Sequence, residues 1–130
     1  MRRRLRDERG ASVVEFALIL PILLFLLLGI VEFGRGFQVS GTLSAAAREG
    51  VRVMALQNDP AAARAAARSA ASSLDPALTN AQIRITPATC PTGTGTTTVR
   101  LTIDYDLPLM TGWFGARIGL SGTGVMRCGG

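Results

Sequence analysis

The stretch that decides the fold runs from Arg6 to Phe33, RDERGASVVEFALILPILLFLLLGIVEF, where a charged segment gives way to an apolar one. From residue 13 to residue 31 the only ionisable side chain is Glu15. An apolar run of about 19 residues, at about 1.5 Å per residue in a helix, is roughly 28 Å long and matches the hydrocarbon thickness of a bilayer. We therefore predict a transmembrane helix at residues 11–31.

The residues that precede the apolar run are basic. Five of the 14 arginines lie in residues 1–10, where Asp7 and Glu8 are the only acidic residues. This positive flank predicts a cytoplasmic leader at residues 1–10 and an extracytoplasmic location for residues 32–130. A cleaved secretory signal peptide is one alternative, but the apolar core is too long and no small-x-small site closes it. An uncleaved membrane anchor is a second alternative.

Composition argues against catalysis and against nucleic-acid binding. The chain has no histidine and a net charge of +5, and without residues 1–10 nine arginines stand against seven acidic residues, which leaves +2. No base-reading aromatic residues are interleaved with the basic leader, so we do not expect nucleic acid as a partner. Without histidine no set of nucleophile, base and orienting residue can be assembled. We therefore expect a non-enzyme that has no cofactor and no metal site, with Asp104 and Asp106 on a solvated strand face.

The order Arg9-Gly10, Ala11 and Glu15-Phe16 at the start of the apolar run resembles the processing site of type IV prepilins. The resemblance implies that a prepilin peptidase cuts after Gly10 on the cytoplasmic side. The cut would create a cationic α-amino group on Ala11, and Glu15 lies one helical turn further on, within the same subunit or facing a neighbour. The carboxylate would then enter the membrane as half of an ion pair. The alternative is that Glu15 lies at the headgroup boundary and reaches water.

Two longer strings narrow this resemblance. The segment from residue 10 to residue 37, GASVVEFALILPILLFLLLGIVEFGRGF, and the segment from residue 45 to residue 52, AAAREGVR, together resemble the TadE-like family. These are minor pilin-like proteins, or pseudopilins, of tight-adherence (Tad) pilus systems. The resemblance implies a structural or assembly role, a prepilin peptidase and other pilin subunits as partners, and a location in the cell membrane or in a pilus. Because several small pseudopilins share this leader, the role as fibre subunit or initiator stays open.

Beyond the apolar run the sequence becomes periodic. Residues with small or apolar side chains recur at spacings of three and four, namely Val39, Leu43, Ala46 or Ala47, Gly50 and Met54. This stripe predicts a helical stalk at residues 32–57, with a Glu49–Arg52 pair on its solvated face. Asp59 and Pro60 then predict the start of a second, alanine-rich helix over residues 60–74, which Asp75-Pro76 ends.

The C-terminal part changes to a period of two. Apolar residues alternate with polar ones from Val99 to Leu107, which predicts a half-buried strand, and Ile83 and Ile85 predict a shorter one. A third strand is predicted near the C-terminus from Ile118, Leu120 and Met126. Three glycines should weaken it, namely Gly119, Gly122 and Gly124. These elements predict an α+β fold in which residues 58–130 form a small domain with an antiparallel sheet.

Cys90 and Cys128 are the only cysteines, and both lie on the predicted outer side. An even cysteine count in an exported domain favours a disulfide, while free thiols remain the alternative because sequence does not give the distance between the two Cβ atoms. A bridge would close a loop of about 39 residues and, in the chain-entropy model, stabilise the fold by about 4 kcal/mol.

Overall fold

The structure is a computed structural model that describes residues 4–93, 96–110, 112 and 115–130. Its elements are listed here in chain order: α1 (Arg4–Gln57), α2 (Pro60–Ala70), a 3₁₀ turn (Asn80–Gln82), β1 (Ile83–Thr86), β2 (Thr98–Pro108) and β3 (Arg117–Arg127). The chain divides into two compact units, Met1–Gly34 and Arg35–Gly130. The predicted α+β fold is confirmed.

The first unit consists of the N-terminal part of α1, and its apolar side chains are exposed. Phe16, Leu18 and Phe25 are 61%, 69% and 70% exposed. Within the described part of the chain, α1 contains the one helix segment that is long and apolar enough to cross a membrane. Because exposed apolar area of this extent is unfavourable in water, the segment indicates a membrane anchor.

The second unit has a conventional core. The predicted stripe on α1 is buried, and Leu43, Ala46, Ala47 and Met54 have no exposed surface. The sheet has the order β1-β2-β3 and is antiparallel throughout. Alternate residues of β2 from Val99 to Leu107 point into the core, as the period-two pattern predicted.

Helix α2 begins as predicted. Asp59 is its N-cap and accepts hydrogen bonds from the backbone N–H groups of Ala61 (2.9 Å) and Ala62 (3.2 Å). The helix ends at Ala70, four residues before the predicted end at residue 74. Serine side chains compete with the helical backbone for hydrogen bonds, and Ser72 and Ser73 follow the C-cap residue Ala71. The alanines of α2 leave space for close packing, and Ala63 and Ala67 are fully buried.

The glycines of β3 allow the strand to lie close to α1. A Cβ atom on Gly122 would come within 2.5 Å of the backbone of Leu43, and one on Gly124 within 2.6 Å of the carbonyl oxygen of Ala47. The sequence-based expectation that these glycines weaken the third strand is incomplete. They also permit the close contact between helix and strand that forms this side of the core.

Candidate processing site, disulfide clamp and pocket

The predicted processing residues Gly10, Ala11, Glu15 and Phe16 all lie on α1 and are exposed. Ala11 and Glu15 are four residues apart in one helix, which places their Cβ atoms about 5–6 Å apart on the same face. A new α-amino group on Ala11 would therefore lie within reach of the Glu15 carboxylate. Among the side chains that the structure describes, none forms an ion pair with Glu15.

The peptide bond between Gly10 and Ala11 lies inside α1, near its N-terminus. Glycine lowers the stability of a helix interior by about 1 kcal/mol relative to alanine, so this turn is easier to open than its neighbours. A Cβ atom on Gly10 would contact nothing within 4 Å. Gly10 is therefore not required for packing within the described chain. A functional role of Gly10 would depend on its conformational freedom.

Cys90 and Cys128 form a disulfide, as predicted, with Cα atoms 5.7 Å apart. The bridge joins the loop after β1 to the residue after β3. Near it, the backbone N–H of Cys128 donates to the carbonyl of Thr97 at 2.9 Å, and that of Gly129 donates to the carbonyl of Ala55 at 2.9 Å. The C-terminus is thus attached both to the β1–β2 loop and to the end of α1.

The side chain of Asn58 binds the backbone of Cys90 next to the disulfide, a role that the sequence pattern did not predict. Its Oδ1 accepts from the backbone N–H of Cys90 at 2.6 Å, and its Nδ2 donates to the carbonyl of the same residue at 3.2 Å. Asn58 has a φ of 52°, a left-handed conformation that asparagine adopts more readily than most residues at the end of a helix. Its position directly after α1 and before the Asp59 cap was the available signal.

The second unit carries ion pairs on its surface. Arg52 donates to Glu49 at 2.8 and 3.2 Å, as predicted, and this hydrogen bond holds the pKa of Glu49 below its ordinary value. On the outer face of the sheet Arg84 pairs with Asp104. Within the described residues no group of three or more histidine, cysteine, aspartate or glutamate side chains could hold a metal ion. These ion pairs are surface features without a chemical site.

A pocket of about 210 Å³ lies in the second unit where its part of α1 begins. It is lined by residues from α1, from the segment after α2 and from the end of β2: Arg35, Gln38, Val39, Thr42, Ser73, Leu74, Asp75, Tyr105 and Leu107. The Arg35 guanidinium donates to the carbonyl of Pro108 at 2.8 Å, and the Tyr105 hydroxyl donates to the carbonyl of Pro76 at 2.7 Å. No sequence pattern indicated this pocket, because its residues are distant along the chain.

Comparison with known families gives one match. The model of the family described as TadE-like protein matches residues 10–52. No curated protein and no solved structure matches the chain. The family match includes the exposed apolar run and the first turns of α1 in the second unit, and it leaves out α2 and the whole sheet. Residues 10–52 are thus similar to the TadE-like family, as the two sequence strings predicted.

Proposed function

We propose that the chain is a minor pilin-like structural or assembly component, a pseudopilin, of a Tad-type type IV pilus system. A prepilin peptidase cuts it after Gly10 on the cytoplasmic side, and residues 32–130 lie outside the cytoplasm. The observation that carries this proposal is the spacing of Gly10, Ala11 and Glu15 on an exposed apolar helix within the TadE-like match.

The energetics of Glu15 support a role in docking. A carboxylate inside a bilayer costs about 2.5–3.5 kcal/mol on insertion scales, so an unpaired Glu15 would only disfavour the membrane state. A pair with the α-amino group of Ala11, in the same or in a neighbouring subunit, offsets this cost when two helices dock at the correct height. A subunit at the wrong height leaves both charges unpaired, so the pair selects the register.

The disulfide supports an extracytoplasmic second unit. Disulfides persist in oxidising compartments and are rare in the cytoplasm. The Cys90–Cys128 bridge and the basic leader therefore favour the same orientation, although they are independent features of the chain. The first unit would anchor and dock, and the second unit would face the periplasm or the cell surface.

Intact-mass spectrometry of the chain from native membranes tests the cleavage. We expect a mass that begins at Ala11 in cells with an active prepilin peptidase, and the uncut mass in cells without it. A Gly10→Val variant should stay uncut, while Gly29→Ala, which changes a second glycine of α1 whose added Cβ atom would also contact nothing within 4 Å, should be cut normally. Retention of residues 1–10 in cells with an active peptidase would instead favour an uncleaved, membrane-anchored accessory or binding module.

A second experiment tests the docking role of Glu15. We expect Glu15→Gln and Glu15→Ala to insert into the membrane at least as well as the native chain and to co-purify poorly with other pilin subunits. Asp106→Asn removes an exposed carboxylate from the sheet and should leave co-purification unchanged. Normal assembly of Glu15→Ala would show that the pairing argument is wrong.

A further inference from the structure

The pocket defined above contains charges of both signs. Arg35 contributes a guanidinium and Asp75 a carboxylate to its lining. Burial raises the pKa of Tyr105, the negative charge of Asp75 raises it further, and the positive charge of Arg35 opposes the shift. Arg35, Asp75 and Tyr105 all line this one pocket, and both charges act on the Tyr105 phenol.

The Arg35 side chain is held at this pocket by the fold. The hydrogen bond to the Pro108 carbonyl fixes the Arg35 side chain against the end of β2. A guanidinium has five N–H donors in a planar arrangement, so it can serve more than one partner. Gln38 and Thr42, one and two turns further along α1, add amide and hydroxyl groups to the same lining. The lining thus offers hydrogen-bond donors from α1 and a carboxylate from the segment after α2.

Along the sequence, Arg35 lies close to the end of the predicted membrane segment. Arg35 follows Val31, the last residue of the apolar run, by four residues, which is about 6 Å of helix. The headgroup layer on each side of the hydrocarbon core is about 5–7 Å thick. Phe33 and Phe37, which flank Arg35 in the sequence, are 75% and 77% exposed. Exposed phenyl rings are best accommodated by lipid, so apolar surroundings extend to this level of α1.

We propose that the pocket binds the headgroup of a membrane phospholipid, a phosphoethanolamine zwitterion whose phosphate lies at Arg35 and whose ammonium lies at Asp75. Guanidinium and phosphate match in charge and in donor geometry. An ammonium group donates to a carboxylate, whereas the quaternary amine of choline has no hydrogen to donate. An anionic headgroup without a cation would leave the Asp75 carboxylate beside the phosphate without compensation.

Lipid retention tests this binding. The full-length chain is reconstituted in nanodiscs that contain equal amounts of phosphatidylethanolamine, phosphatidylcholine and phosphatidylglycerol, then released into detergent and examined by native mass spectrometry. We expect retained phosphatidylethanolamine to exceed phosphatidylcholine about tenfold, the ratio for one added charge-assisted hydrogen bond. Excess glycerophosphoethanolamine should displace the retained lipid, because the headgroup carries the recognition. Equal retention of the three lipids would overturn the proposal.

Matched charge variants locate the site. Asp75→Asn should bring the ratio of phosphatidylethanolamine to phosphatidylcholine close to one, and Arg35→Gln should lower the retention of both lipids. Arg48→Gln and Asp106→Asn remove exposed charges elsewhere in the second unit and should change neither quantity. If Arg35→Gln unfolds the unit, the Asp75→Asn variant still tests the proposal, because asparagine has the same size as aspartate. An unchanged ratio in Asp75→Asn, or the same change in Asp106→Asn, would show that lipid does not occupy the pocket.

The lipid proposal does not depend on cleavage after Gly10. The retention experiment can be made with the uncut chain, since Arg35 and Asp75 lie in the second unit. A failure of the headgroup experiment would leave the mass of the processed chain unchanged, and a failure of cleavage would leave the lipid ratio unchanged. The two proposals therefore fail separately.

Discussion

The two units use one helix in opposite ways. In Met1–Gly34 the apolar side chains of α1 are exposed, as Phe25 is at 70%, whereas in Arg35–Gly130 the stripe that contains Leu43 is fully buried. The first segment must find its apolar partner outside the described chain, in lipid or in another subunit. The second segment has its partner in the sheet. Changes in the second unit should therefore alter its own stability, while changes in the first should alter insertion and assembly.

Removal of the disulfide is the largest expected perturbation of the second unit. The cysteines are 38 positions apart, and a closed loop of this size stabilises the folded state by about 4 kcal/mol in the chain-entropy model. We expect the double variant Cys90→Ala/Cys128→Ala to lose about this much, measured by hydrogen exchange of the β2 amides in nanodiscs. Insertion of the first unit should be unchanged.

The redox state of the native chain provides the control for this prediction. Alkylation of the denatured, unreduced chain with a mass-tagged maleimide should add no label, and two labels should be added after reduction. Reduced native chain should show the same loss of protection as the double variant. A loss of membrane insertion in the double variant would contradict the separation of the two units.

The next largest effect should come from Gly122→Ala. A Cβ atom there would lie 2.5 Å from the backbone of Leu43, and a backbone atom cannot move aside as a flexible side chain can. Overpacking of this kind costs about 2–3 kcal/mol. Gly119→Ala on the same strand is the matched control, because its nearest contact would be Asp106 Oδ1 at 3.7 Å. Equal stability of the two variants would show that α1 and β3 do not pack as closely as described.

These two predictions differ in how far sequence could anticipate them. The disulfide followed from counting cysteines in a segment that was predicted to be exported, and the strand from Val99 to Leu107 followed from strict alternation. The closeness of Gly122 to Leu43 joins residues 79 positions apart, and no local pattern records such a contact. Strand propensity describes a single strand without its neighbours. It therefore predicted only that the glycines weaken β3, and it could not predict that they allow α1 to pack closely.

The candidate sites also differ in how far the sequence could predict them. Gly10 and Glu15 lie on one segment, so their spacing is visible in the sequence. Tertiary packing creates the other two sites, the hydrogen bonds between Asn58 and Cys90 and the pocket with Arg35 and Asp75. Their residues come from separate elements, so no spacing in the sequence shows them. The predicted end of α2 at residue 74 was wrong by four residues. The prediction followed Asp75-Pro76, which is a stronger stop signal in the sequence than the serines before it.

A moderate effect is expected from the cap of α2. Asp59→Ala removes an acceptor for two backbone N–H groups and should destabilise the second unit by about 1 kcal/mol. Asp59→Asn should restore most of this loss, because asparagine is also a good N-cap. Urea unfolding of the chain in nanodiscs, followed by circular dichroism, measures both variants. A full loss in Asp59→Asn would indicate that charge, rather than the hydrogen bonds, stabilises this end of the helix.

The smallest expected effect concerns the exposed pair of Glu49 and Arg52. The hydrogen bond from Arg52 holds the pKa of Glu49 below its ordinary value in the folded state. A lowered pKa in the folded state means that the pair stabilises the fold above the ordinary carboxylate pKa, and that this stabilisation disappears as the pH falls through the lowered value. Arg52→Gln should therefore return the Glu49 titration, followed by carboxyl NMR, toward the ordinary value, with no resolvable change in the unfolding midpoint at neutral pH. Arg48→Gln leaves this hydrogen bond in place and should leave the titration low. A large stability loss in Arg52→Gln would mean that the solvent-facing side of α1 also stabilises the second unit. This result would contradict the expectation that the buried stripe of α1 alone provides that stability.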